Sequence, residues 1–256
     1  MTDIRAGFFS LTSGAVDGDD AGYLRWHLLD HLPEQYSLSG IRLGTRWRAD
    51  DACVALRLAA EDGLDAVRHA VGYLITDPVA DTLNEFGRLG RQLDEAGRYP
   101  VAATPLLLGA FELVDAHAAP AAIVSAAAVP FRPHRGVYLL VERVTDPGSI
   151  DTWWRWHREE HLPGLLGVEG VAGVYTFRAT EALGEGDDQS ARLGVTAPWD
   201  PGHSHVTVVY LDGDVSATAS RLEPQLTTRW ADGTVTPRLA GPFRSPVTYE
   251  AWPVQP

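Results

Sequence analysis

Cysteine and methionine are almost missing from this chain, at one residue each in 256. Cys53 alone excludes an internal disulfide framework and fits a reducing compartment, so the expected location is cytoplasmic. Long apolar runs are missing as well. No stretch approaches the roughly 18 apolar residues that would span a bilayer, and the first residues lack the basic-then-apolar pattern of a secretion signal. Positive charge is scarce: 21 basic residues face 34 acidic ones, for a net charge of −13, and the basic ones are scattered. Nucleic acid and anionic membranes both need a positive patch, so neither is an expected partner. No glycine-rich phosphate loop follows a strand, no G-x-S-x-G elbow occurs, and Cys53 has no evident histidine partner. Nucleotide binding and covalent catalysis are thereby disfavoured. What remains is a globular chain, 45% hydrophobic and 9% aromatic, whose expected partner is a small hydrophobic molecule, with no cofactor and no metal.

The chain repeats itself. Tyr23-Leu24-Arg25-Trp26-His27-Leu28-Leu29-Asp30-His31-Leu32-Pro33 returns, 130 positions later, as Trp153-Trp154-Arg155-Trp156-His157-Arg158-Glu159-Glu160-His161-Leu162-Pro163. Three further blocks recur in the same order: Gly40 to Ala49 with Gly170 to Ala179, His69 to Ile75 with His205 to Leu211, and Thr104 to Phe111 with Thr236 to Phe243. Self-similarity at half the chain length signifies a duplicated supersecondary unit packed against its copy. The expected division is residues 1–115, an Ala/Pro-rich linker over 116–133, and residues 134–256.

Each half reads as β-α-β-β-α-β. Strands are expected at Ile4 to Leu11 and Gly136 to Val144, from the Gly40 and Gly170 blocks, from the His69 and His205 blocks, and in the Thr-Pro blocks. Asp151 is placed to cap the second-half helix, and Pro33 and Pro163 are expected to end or redirect the first helix of each half. Residues 81–96 and 214–230 read as amphipathic helices. This is the α+β, ferredoxin-like order, an antiparallel sheet covered on one face by two helices. The bare sheet faces are expected to close on each other within one polypeptide, as a monomeric pseudo-dimer or a weak homodimer. Residues 181–203 form a long polar insertion in the second half only, readable as a lid or as a surface loop.

The segments Trp26 to Pro33 with Gly40 and Arg48, and Trp156 to Pro163 with Gly170 and Arg178, resemble the dimeric α+β barrel superfamily, and within it EthD-like proteins. The resemblance covers nearly all of both halves. It implies a tandem ferredoxin-like barrel and a pocket between sheet and helices in each half. Its members include polyketide cyclases, cofactor-free monooxygenases, muconolactone isomerases and haem enzymes, so function has to come from the site.

The candidate catalytic residues are His27, His31 and Asp30 and their copies His157, His161 and Glu160. At a spacing of four the two imidazoles lie one turn apart on one helix face, below Tyr23 or Trp153. Imidazole titrates near neutrality and can take or return a proton, with Asp30 or Glu160 orienting it. The competing interpretation is structural, a histidine bonding the last carbonyls of a helix. The string His157-Arg158-Glu159-Glu160-His161 spells H-x-x-E-H, an inverted zinc-protease signature, but no distant third ligand accompanies it. Gly14 to Gly18 matches the G-x-x-D-G of some haem peroxidases, too early in the chain for that arrangement. Candidate substrate-binding residues are Arg48 and Arg178, which close the second strands and can hold a carboxylate or phenolate or pair with Asp30 or Glu160, together with Tyr23, Trp153, Tyr175, His69 and His205. The expected reaction is cofactor-independent acid-base chemistry of the cyclase, isomerase or lyase type on an aromatic or polyketide-like molecule. Cofactor-free oxygenation and non-catalytic binding are the alternatives.

Overall fold

Side chains of β1 (Ile4–Ala15) divide between two environments. Phe9 and Leu11 join the large core, Phe8 faces a separate cluster under the helices, and Ser10 and Thr12 follow on the side of Phe8. This period of two is what a strand between two apolar layers requires. The computed structural model describes residues 2–61, 63–99, 103–180, 183 and 199–246.

After β1 come α1 (Asp20–Trp26), α2 (Leu32–Tyr36), β2 (Ile41–Arg48), α3 (Asp51–Ala55), β3 (Ala59–Ala60), β4 (His69–Thr76), α4 (Val79–Glu95) and β5 (Ala103–Ala118). The second half runs β6 (Gly136–Val144), α5 (Ile150–Trp156), α6 (Leu162–Leu166), β7 (Val171–Arg178), β8 (Ser204–Leu211), α7 (Val215–Trp230) and β9 (Val235–Arg244). Among the described residues the strands make one antiparallel sheet in the order β2-β4-β1-β5-β7-β8-β6-β9, with β3 added on β9. One pairing, Arg48 opposite Arg244, brings β9 back to β2. The fold is therefore mixed α+β, with helices on a large antiparallel sheet. Phe9, Phe111 and Phe177 meet edge to face inside it, at centroid distances of 6.0 and 5.0 Å from Phe9. Trp199 closes on this group, 4.5 Å from Phe111, and its indole N–H donates to the Leu108 carbonyl. Residues 181–182 and 184–198, most of the expected insertion, lie outside the described residues. No helix is long and apolar enough to cross a membrane among the described residues.

Helix starts follow local chemistry. Asp19, Asp50 and Asp214 accept the free amides of Gly22, Cys53 and Ala217 at the heads of α1, α3 and α7. Asp151 does not cap: α5 begins one residue earlier at Ile150, which puts Asp151 inside the first turn, where its charge still suits the positive helix end. The segment expected as a linker is partly regular, since β5 continues to Ala118 and a 3-10 turn covers Ala126–Phe131.

Pro33 and Pro163 do not end their helices. Each lies at the start of a further helical segment, where a missing N–H costs nothing, and the turn before it is widened. Over His27–His31 and His157–His161 the hydrogen bonds skip to the fifth residue, Leu32 N–H to His27 O and Leu162 N–H to His157 O. A proline ring crowds the carbonyl four residues back and gives it no donor; widening the turn relieves both. The two wide turns carry the two histidine pairs.

Candidate functional site

A cavity of about 450 Å³ lies between sheet and helices in the first half. Its floor is Phe8, Ser10 and Thr12 of β1 with Val71 and Tyr73 of β4, and its roof is Phe86, Gly87 and Gly90 of α4. Tyr23, Trp26, His27, His31 and Tyr99 form one wall. The rings there are layered. Tyr23 stacks on Trp26 at 5.9 Å, Trp26 on His31 at 4.9 Å, and Tyr99 closes against both Trp26 and His31 at 5.5 and 5.2 Å. Apolar walls with a few convergent polar groups are the composition of a small-molecule site.

His27 is 4% exposed and makes no hydrogen bond to the described residues; its Nδ1 is buried without a partner. Burial, then the Arg46 charge, then His31 and His69, push its pKa down to about 2. The same order of causes, burial and then Arg46, holds His31 and His69 at about 4. All three rings are thus neutral at pH 7. His69 Nε2 sits 3.4 Å from Asp20, which also accepts the Ala15 amide and pairs with Arg48. Burial opposes the ionisation of Asp20, yet those partners hold its carboxyl below the usual range.

Arg46 is the residue that sequence reasoning missed here. It is 2% exposed, its Cζ lies 4.0 Å from the Tyr23 ring centroid, and none of its three guanidinium nitrogens has a hydrogen-bond partner among the described residues. Register fixes its side of the sheet. Arg46 stands opposite Val71, Val71 opposite Ser10, and Ser10 opposite Leu108, and those three neighbours all line the cavity. Residues opposite each other across strands share a face.

At the corresponding place in the second half the described residues form a buried ionic cluster. Arg229 of α7 donates from Nε and Nη2 to the two Glu142 oxygens at 2.7 and 2.8 Å, with both side chains at 0% exposure. His205 Nε2 lies 3.1 Å from the same carboxylate, and Trp230 donates to it at 2.7 Å. Burial pushes Glu142 up, but Arg229 and His205 together hold it well below the carboxylate range. His157 is engaged at both nitrogens, Nδ1 with Arg229 at 3.3 Å and Nε2 with Thr176 at 3.1 Å. Trp153 stacks on it at 5.0 Å. A buried ion pair earns little net stability against an apolar filling, but breaking one side of it is expensive. This cluster has the character of a fixed strut.

Residue-by-residue comparison of the halves shows how the difference arises. A Cβ on Gly40 or Gly170 would collide with Thr82 or Thr218, so those two threonines correspond. Counting along α4 and α7 from them sets Phe86 beside Leu222, Gly90 beside Leu226 and Leu93 beside Arg229. On the strands, Thr12 stands opposite His69 as Glu142 stands opposite His205. Gly90 leaves space that Leu226 fills, and Thr12 supplies no carboxylate.

Several expected site residues lie elsewhere. Asp30 and Glu160 are exposed on the outer side of their turns and orient no imidazole; Asp20 and Glu142, from the first turn of α1 and from a strand, meet His69 and His205 instead. Arg178 pairs with Glu112 at 2.9 Å at the surface, and Arg48 with Asp20 at 3.5 Å, so neither lines the cavity. Tyr175 is core: its neighbour Thr176 faces His157, which turns Tyr175 inward, and its hydroxyl donates to Ala126 O at 2.8 Å. Tyr23, His27 and His31 come together around the cavity; Trp153, His157 and His161 come together in the second half. No group of three or more His, Cys, Asp or Glu side chains able to hold a metal is present among the described residues.

Among solved structures, the chain resembles an anthrone oxidase-like protein at 10% identity, with 96% of this chain and 93% of that one covered and a TM-score of 0.57. A candidate monooxygenase of Fusobacterium nucleatum matches at 11% identity over 97% of each chain, with a TM-score of 0.53. A candidate chlorite dismutase matches at 12% identity over 93% of this chain and 94% of its own, with a TM-score of 0.51. The likeness is one of fold. These neighbours share its mixed α+β architecture of helices on a large antiparallel sheet. No protein-family model matches the sequence, and no curated protein is similar to it.

Proposed function

We propose that the chain is a cofactor-independent enzyme that moves protons on a flat, largely apolar molecule held in the first-half cavity. In this reading residues 1–115 and 134–256 are two ferredoxin-like units closed into one barrel, the first carrying the site and the second serving as its scaffold. One observation carries the proposal: His27 lines an aromatic cavity and makes no hydrogen bond to the described residues, whereas His157 is tied at both nitrogens. His27 removes a proton from an acidic C–H or O–H of the bound molecule. The imidazolium so formed returns that proton to another position, directly or relayed through His31, whose ring lies 5.4 Å away and is stacked on Trp26, giving an isomerisation or cyclisation. With the protonated ring so disfavoured by burial, His27 is a weak base, which suits substrates whose anion is delocalised over rings.

A second reading has the carbanion trapped by molecular oxygen. The fold neighbours described as an anthrone oxidase-like protein and a monooxygenase favour it. Anthrone itself is a suitable probe, incubated with the protein in D2O while oxygen uptake is followed. Methylene exchange without oxygen uptake supports acid-base chemistry alone; exchange with uptake supports oxygenation; binding without either leaves a carrier. His27→Asn is expected to abolish exchange while His157→Asn, where folded, retains it. The opposite pattern would remove the site from the first half.

A further inference from the structure

We infer that the ligand of the first-half cavity carries an anionic oxygen, a carboxylate or an ionised phenol or enol, which neutralises Arg46. The inference rests on the reading of that cavity as a small-molecule site and names the chemistry it selects. Three independent features converge on it. First, Arg46 is a charged group at 2% exposure with no acceptor among the described residues for any of its three nitrogens, a condition that destabilises the fold unless something pairs with it. Second, its cross-strand neighbours Val71, Ser10 and Leu108 line the cavity, as does Tyr23, the ring its guanidinium rests on, so that Arg46 lies just behind that lining.

Third, the second half shows what the completed arrangement looks like. There a guanidinium lies over the corresponding aromatic ring, Arg229 over Trp153 at 4.9 Å, as Arg46 lies over Tyr23 at 4.0 Å. Glu142 satisfies it and also accepts from His205. In the first half Thr12 takes the place of Glu142, lines the cavity, and offers only a hydroxyl 3.5 Å from the Tyr23 hydroxyl. The cation and the imidazoles remain; the carboxylate is missing, and open volume stands next to its position. Asp20 does not supply it, being engaged with Ala15, His69 and Arg48. Among the described residues the other carboxylates near the cavity are at its rim: Asp94 is exposed and Glu34 pairs with Arg98. A bound oxyanion would also weaken the Arg46 field on His27 and raise its proton affinity, so the ligand's charge would help to ready the base.

The test uses the full-length protein and two bicyclic probes of one shape, naphthoate and its neutral amide, naphthamide, with dissociation constants from calorimetry. The wild-type protein is expected to bind naphthoate at least about tenfold more tightly than naphthamide, the size of a charge-assisted hydrogen bond. Arg46→Met, which keeps the volume, should erase that preference and leave naphthamide unchanged. Thr12→Glu provides a second route: an internal carboxylate at the station of Glu142 should expel naphthoate specifically and raise the melting temperature. A phenolate arm, naphthol titrated across its ionisation, distinguishes carboxylate from phenolate ligands. Equal binding of acid and amide, with neither variant altering the ratio, overturns the inference while the cavity reading stands. Failure of every probe to bind overturns the cavity reading and the inference with it.

Discussion

Thr12 and Glu142 hold the same station in their strands, Thr12 opposite His69 and Glu142 opposite His205, so that a hydroxyl in the first half stands where the second half has a buried carboxylate. With the carboxylate, the guanidinium is satisfied internally and the helix is pinned to the sheet. Without it, the buried guanidinium of Arg46, stacked on the Tyr23 ring that lines the cavity, has no counter-charge among the described residues.

The strut in the second half is expected to be strongly coupled. Glu142→Gln leaves Arg229 buried without its counter-charge and should destabilise the protein by roughly 3–5 kcal/mol. Adding Arg229→Met should recover a large part of that loss, because an apolar pair fits where an unpaired charge does not. Urea denaturation of the two single variants and the double variant measures the coupling; additive losses would show that the pair is not a unit.

Copying the closed half into the open one gives a second prediction. Gly90→Leu puts the residue of Leu226 into the cavity roof, and should abolish ligand binding without lowering stability. Replacing a mid-helix glycine favours the helix by about 1 kcal/mol, and the new side chain buries apolar surface besides. Loss of naphthoate binding together with an unchanged or higher melting temperature is the expected outcome. Retained binding would put the ligand elsewhere.

Acid should weaken the fold well above the carboxylate range. In the unfolded chain histidines protonate near pH 6.5, while His69 stays neutral down to about 4 and His27 down to about 2. Their folded values are depressed, so between those limits the unfolded state binds more protons and stability falls as pH falls. The slope is at most about 1.4 kcal/mol per pH unit for each such histidine, with stability present in full above about pH 6.5 and lost towards about pH 4. Urea midpoints measured at about pH 7, 6 and 5, across that titration window, should decline in wild type and decline less in His27→Phe. A flat profile would mean that the imidazoles are solvated.

Much of the architecture was readable in the residues. The strand Gly136 to Val144 opens on an unbroken apolar run, Val137 to Val141, and the helices of residues 81–96 and 214–230 are found at Val79–Glu95 and Val215–Trp230. The histidine pairs were visible as chemistry, and Tyr23, His27 and His31 do line the cavity. Their partners were not, because sequence proximity misleads on a helix surface: Asp30 and Glu160 adjoin a histidine in the chain but point to solvent, while Glu142 arrives from a strand. Arg46 was passed over in favour of Arg48, two positions on and on the same face; only depth in the sheet distinguishes the buried cation from the one paired near the rim. The wide turns were equally hidden, since a proline after a helical pattern reads as a stop unless the chain finds room to bulge.

Joining the halves in one polypeptide has a stoichiometric consequence. Two identical chains facing each other would have to carry the same residue at both Thr12-type positions, open twice or shut twice. A single gene that encodes both faces escapes that constraint. In the proposed reading it commits one face to rigidity through Glu142 and Arg229 and keeps the other for the cavity, which would set the stoichiometry at one guest per molecule.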